Sequence, residues 1–131
     1  MIGTDAIVSV VAYACDDAEV LETFVPAAAD VLCRHFAHYE LILVDDHSAD
    51  ATPVVADGLL ARHAGLRYIR LARRCGEEVA ATAGLEAAVG DVVVVMRARL
   101  DPSAEIPVLV RLAAHSGGVA LGTTAEPAPR S

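Results

Sequence analysis

The chain has 131 residues, a formal charge of −8 at neutral pH, and an apolar fraction of 55% with 4% aromatics and no tryptophan. That length is one domain near the commonest size, and the apolar share is enough for a sizeable core built from Ala and Val rather than from rings. An acidic chain repels phosphate backbones, which argues against nucleic-acid partners. Cys15, Cys33 and Cys75 are odd in number and form no CxxC pair, which argues against a disulfide framework or a zinc site and for a reducing, cytoplasmic setting. The five histidines are scattered without an HxxxH or HExxH spacing and read as solvated or capping side chains. No apolar stretch approaches the ~18 residues needed to span a bilayer. AIVSVVAYAC near the start lacks the basic flank of a signal sequence.

Ile7–Val11 is an apolar run broken only by Ser9, which predicts a strand buried on both faces. Asp16 and Asp17 then open a helix with the stripe Val20, Leu21, Phe24, Ala28, Val31 and Leu32, and Pro26 predicts a kink or restart within it. Leu41–Val44 is a second buried strand that ends abruptly in Asp45-Asp46-His47-Ser48. Thr52 reads as an N-cap before Pro53 at the first helical position, and Gly65 ends that helix. Leu66–Leu71 is a third strand, and Gly76–Val89 an Ala-rich helix stopped by Gly90. Gly84 in its middle costs about 1 kcal/mol against Ala, which points to close approach to a sheet. Val92–Met96 is a fourth strand, Pro102 and Pro107 mark a helix running to about His115, and Gly117-Gly118 turns into a short strand at Val119–Leu121. Residues 1–122 form the domain, and 123–131, with EPAPRS, read as a disordered tail.

Strands alternating with helices predict an α/β three-layer sandwich: a mostly parallel, Rossmann-like sheet with helices on both faces. Ligands in such sheets bind beyond the carboxyl ends of the strands. Those ends carry Tyr13 to Asp17, Asp45 to Ser48, Arg73-Arg74, and Arg97 to Asp101. The Asp45-Asp46 pair suits a metal, a base edge or a ribose hydroxyl, or else a turn and a cap. Asp16 and Asp17 suit ligand hydrogen bonds or helix capping. Arg73-Arg74-Cys75-Gly76 precedes a helix N-terminus, a natural anion site, yet neither GxGxxG nor GxxxxGK[ST] is present. No partner base is identifiable for Cys75 as a nucleophile. Arg97 and Arg99 share one side if strand geometry persists, and are suited to clamp a diphosphate or to balance Asp91, Asp101 and Glu105.

Four blocks in order carry a resemblance: SVVAYACDDAEVL, LILVDDHSADAT, LARRCGEEVAATAGLEAAVGD and VVVVMRARLDPSAEIP. Together they resemble the family 2 glycosyltransferases of GT-A fold, most of all the polyprenyl-phosphate (dolichol-phosphate mannose type) branch, from about Ile7 to Gly122. The resemblance implies the nucleotide-binding N-terminal half of a GT-A fold, with the nucleoside held by Tyr13, Cys15, Asp17, Asp45 and Asp46. The family's DxD aspartates, which hold a divalent metal, fall on Arg97 and Arg99, so no metal cofactor is expected. Arg73, Arg97 and Arg99 become the expected diphosphate ligands.

The family continues into an acceptor half that supplies the catalytic base, and the reading here assigns no catalytic residue. The expected function is a degenerate glycosyltransferase module that binds a UDP- or GDP-sugar without autonomous transfer. It would be covered by a second copy in a homodimer or by a partner protein. The alternative is a metal-independent transferase completed by a partner chain. A receiver-like signalling domain is the remote alternative, since Met96 stands where its phospho-accepting Asp belongs.

Overall fold

The computed structural model describes residues 3–122. The tail expected over residues 123–131 lies outside them. Five strands, β1 (Ile7–Ala14), β2 (His38–Asp45), β3 (Leu66–Arg70), β4 (Val92–Arg97) and β5 (Val119–Leu121), form one sheet in the order β3-β2-β1-β4-β5. Every pairing is parallel. The chain steps outward from β1 to β3, then returns to place β4 on the other side of β1. The sheet therefore reverses between β1 and β4, which is where open α/β sheets form their binding crevice.

Four helices connect the strands: α1 (Ala18–His35), α2 (Thr52–Arg62), α3 (Glu77–Ala87) and α4 (Ile106–His115), the last preceded by a single 3₁₀ turn at Ser103–Glu105. Strand alternation sorts the core into two layers. Val8, Val10, Ala12, Leu41, Leu43, Val94 and Met96 face α1, α2 and α4. Val11, Ile42, Val44 and Val93 face α3 alone. Three helices thus cover one face and one covers the other. The expected sandwich is present but lopsided, and among the described residues no helix covers the α3 face over β4 and β5, where Leu121 is 66% exposed.

The break at Ser9 in the first apolar run has a structural reason. Its hydroxyl donates to Glu40 Oε2 at 2.6 Å and accepts from the Gly90 amide at 2.8 Å. Buried Glu40 also accepts from Arg67 at 2.6 Å and from the Val89 amide at 2.8 Å. Burial pushes this carboxyl up, but those donors outweigh it and hold it below the ordinary glutamate value. The network ties β1, β2 and β3 to the exit of α3 at the edge opposite the crevice.

Several boundaries differ from the sequence reading. Helix α1 runs through Pro26 without restarting. Pro26 removes the hydrogen bond to the carbonyl of Glu22, which is exposed and can be solvated. Thr52 is the first residue of α2, and Ala51 holds the cap position. The Thr52 hydroxyl instead accepts from the Asp17 amide at 3.1 Å. Helix α3 ends at Ala87, and Gly90 serves a close approach rather than a stop: a Cβ there would lie 2.5 Å from Ser9 Oγ.

Candidate functional site

The carboxyl ends of four strands are pinned to one another by main-chain bonds that run just past the sheet. The Asp46 amide donates to Ala14 O, Leu71 to Asp45 O, and Ala98 to Tyr13 O, each at 2.9 Å. These bonds hold the loops after β1, β2, β3 and β4 around one crevice. Strain is concentrated there: Asp16 and His47 have φ of 55° and 58°, in the left-handed region that non-glycine residues seldom adopt.

The Asp45-Asp46 pair is buried, and every carboxylate oxygen has a donor. Asp45 Oδ1 takes the amide and hydroxyl of Ser48, and Oδ2 takes the Tyr68 hydroxyl, with the Arg70 guanidinium 3.6 Å away. Asp46 Oδ1 accepts from the Cys75 amide at 2.7 Å; Oδ2 accepts from the Gly76 amide at 3.0 Å and the Tyr13 hydroxyl at 2.9 Å. Burial pushes the Asp46 carboxyl up, yet the donors prevail and hold it below the ordinary aspartate value. Burial, reinforced by Asp46, pushes the Tyr13 phenol well above its usual value, so it remains a protonated donor. The pair therefore shapes the crevice by fixing the loop after β2 and the entry to α3.

Asp16 and Asp17 divide their work. Asp16 accepts from the Ala49 amide at 2.7 Å and pairs with Arg74 at 2.9 Å, lacing the first loop to the second and third. The bond from Ala49 is the main reason its carboxyl sits below the ordinary value. Asp17 occupies the cap position of α1, but its side chain makes no capping bond. Oδ2 turns back to the Cys15 amide at 3.0 Å, and Oδ1 receives no hydrogen bond among the described residues although it is buried. Arg99 Nη2 stands 2.5 Å from that oxygen as an ion pair, without a well-directed N–H.

Strand geometry ends at Arg97, and residues 98–100 form a turn, so the expected alternation does not carry Arg97 and Arg99 to one side. They nevertheless line one cavity of about 110 Å³ together with Tyr13, Cys15, Asp17, Glu77 and Leu100. A second hollow of about 340 Å³ adjoins it on the α3 face, lined by Tyr13, Glu77, Ala81, Val95, Arg97 and Leu121 among others. Arg97 is tied to Asp101 by its main-chain N at 2.8 Å, by Nε at 3.1 Å and by Nη2 at 3.2 Å. The balancing partner named in the sequence for these arginines is thus real for Arg97. A guanidinium has no lone pair to give, and the Asp101 carboxylate is turned onto Arg97. The strand end does not fit a divalent ion. Among the described residues no three His, Cys, Asp or Glu side chains gather as a ligand set.

Of the residues singled out in the sequence, Tyr13, Cys15, Asp17, Arg97 and Arg99 meet at the small cavity. Asp45 and Asp46 lie behind it, and Arg73 lines neither hollow. Glu77, which lines both, escaped the sequence reading, and Arg74, read there as part of an anion site, braces Asp16. Glu77 was hidden because nothing in the chain pattern shows that the first turn of α3 faces β4. Asp101 is four residues from Arg97, and that spacing was a signal available in the sequence.

With that geometry in place, comparison with known proteins is informative. The profile of the family described as Glycosyl transferase family 2 matches residues 8–123, and this chain belongs to that family. An undecaprenyl-phosphate 4-deoxy-4-formamido-L-arabinose transferase of Aeromonas hydrophila subsp. hydrophila is 40% identical over 101 residues, covering 76% of this chain and 30% of that protein. A protein of the same description from Pseudomonas savastanoi pv. phaseolicola is 38% identical over 87 residues, covering 64% and 26%. The chain thus spans less than a third of the length of these relatives.

Among solved structures, a Mycobacterium tuberculosis glucosyl-3-phosphoglycerate synthase in complex with Mn²⁺, UDP and phosphoglyceric acid superposes with a TM-score of 0.65 at 24% identity, covering 82% of this chain and 38% of that one. A Pyrobaculum calidifontis mannosyltransferase in complex with GDP-Man and Mn²⁺ gives 0.64 at 23% identity, covering 71% and 27%. Both share the fold of this chain.

Proposed function

We propose that this chain forms the donor-binding half of a nucleotide-sugar site, taking the nucleoside of a UDP- or GDP-sugar against Tyr13, Cys15 and Asp17 and its diphosphate against Arg97 and Arg99 without a divalent ion. One observation carries the reading: both arginines at the DxD positions line the same cavity as Tyr13, Cys15 and Asp17, at the topological switch point. Asp45 and Asp46 act as positioning residues. They hold the loops that bound the cavity and are not read as ligands of the nucleotide.

Guanidinium groups can supply the positive charge that a metal otherwise brings to a diphosphate, with planar donors matched to phosphate oxygens. Family membership and nucleotide-bound neighbours of the same fold support the donor class. The reading is of donor binding, the step for which the residues lining the cavity carry the chemistry. A second copy packed on the open α3 face, and a cytoplasmic setting, belong to the same reading. Among the described residues no helix is long and apolar enough to cross a membrane. Metal-independent transfer is the second reading, favoured by the same arginines, which are suited to stabilise a leaving diphosphate.

The test is binding of UDP- and GDP-sugars to the parent and to the Arg97→Ala/Arg99→Ala variant. Loss of two charge-assisted contacts should weaken binding by at least about tenfold. A denaturation curve must first show that the variant is folded, because Arg97 also holds buried Asp101. Equal binding by a folded double variant would contradict the proposal.

A further inference from the structure

The two arginines are not equivalent, and the difference implies how the site handles a ligand. The Arg97 side chain is 15% exposed and held along one edge of its guanidinium by Asp101. The Arg99 side chain is 59% exposed on the turn after β4, and its one hydrogen bond among the described residues is a long one of 3.3 Å to Asp16 O. Its ion-pair partner Asp17 is 4% exposed and lines the same cavity, and among the described residues Asp17 Oδ1 has Arg99 Nη2 2.5 Å away and no well-directed hydrogen bond. Buried acceptors in native proteins nearly always find a donor, so wherever Arg99 leaves this oxygen a ligand N–H or O–H has to take its place. Coulomb attraction holds Arg99 there, but without the directional bonds that a guanidinium forms with a phosphate.

We propose that Arg99 is an exchangeable counter-ion, shared between Asp17 and the diphosphate of the ligand. On nucleotide binding its guanidinium moves to the phosphates, and Asp17 Oδ1 accepts a donor group from the nucleoside in its place. Arg97 stays on Asp101 throughout and serves as the fixed cation of the site. This rests on the donor-binding reading above and adds to it a competition. Arg99 opposes a ligand that has a nucleoside and no phosphate, and favours one that has both. The site thereby discriminates nucleoside diphosphates from nucleosides through one movable side chain. Such selection by an internal competitor works as a difference of affinities.

The test is calorimetric titration of uridine, guanosine, UDP and GDP into the parent, Arg99→Ala and Arg99→Lys. Arg99 is exposed on a turn, but it offsets the charge of buried Asp17, so a denaturation curve must first show that both variants are folded. The expected result is opposite in sign for the two ligand classes. Arg99→Ala should bind a nucleoside about threefold or more tighter, having lost the competitor, and its diphosphate about tenfold weaker, having lost a charge-assisted contact. Arg99→Lys, a point charge without the fork, should fall between parent and Arg99→Ala for the diphosphate. If Arg99→Ala does not tighten either nucleoside, undetectable binding included, while the parent binds UDP or GDP, the exchange is overturned and the donor site stands. If the parent binds neither UDP nor GDP, the donor-binding reading itself fails.

Discussion

Asp46→Ala should lower the stability of this fold by about 3 kcal/mol, a large part of what a domain of this size has. The carboxylate is fully buried and satisfies three donors from β1 and the entry to α3: the Tyr13 hydroxyl and the amides of Cys75 and Gly76. Removing it leaves those donors facing an apolar methyl, and each buried donor left unpaired costs about 1–3 kcal/mol. Urea denaturation reads the loss as a lower midpoint at unchanged slope.

The same residue carries a pH signature. Its folded pKa is depressed, so its contribution is fully present above the unfolded value of about 3.9 and is lost as pH falls through the lower folded value. The parent should therefore lose stability below about pH 4 more steeply than Asp46→Asn, which has no carboxylate to protonate. Parallel acid titration of the two proteins checks this, and identical profiles would remove Asp46 from the account of how the crevice is held open.

Gly84→Ala should destabilise by about 2 kcal/mol, in the range of overpacked cores, although alanine is the better helix former. Gly84 is buried in α3, and a Cβ built on it would lie 2.3 Å from Val11 Cγ1 and 3.2 Å from Val44 Cγ2. Both valines belong to the smaller core layer, where Ala80 completes the contact. The helix has to lift away from β1 and β2, which also displaces Gly76 and the site's Glu77 at its start. Gly58, exposed in α2 with nothing within 4 Å of a built Cβ, is the control. Gly58→Ala should raise stability by about 0.5–1 kcal/mol. Thermal denaturation of both variants should show midpoints moving in opposite directions, and a neutral Gly84→Ala would mean that α3 is not seated as closely as described.

The strand–helix alternation made the fold legible in the sequence, because strands buried on both faces show as unbroken apolar runs. Gly84 announced the close packing of α3 by being a glycine where a helix would otherwise choose alanine. The strand ends that form the crevice were legible for the same reason, since each run stops at a polar cluster. What could not be read was how those polar groups are spent. Asp45 and Asp46 look like free carboxylates in the sequence, but apart from the nearby Ser48 their partners are Tyr68, Arg70, Cys75, Gly76 and Tyr13, more than 20 residues away along the chain. The cap expected at Thr52 was displaced by a tertiary partner, the Asp17 amide. The lopsided layering likewise depends on crossover paths that periodicity does not encode.

The central proposal is that the strand end bearing Arg97 and Arg99 is a cation-lined pocket that holds a nucleotide-sugar by protein charge alone. Calorimetric titration of the parent chain with UDP- and GDP-sugars, in the presence and absence of Mn²⁺, tests it most directly. The account predicts binding of at least one donor with the same affinity under both conditions. Binding that requires Mn²⁺, or no binding of either donor, would contradict it.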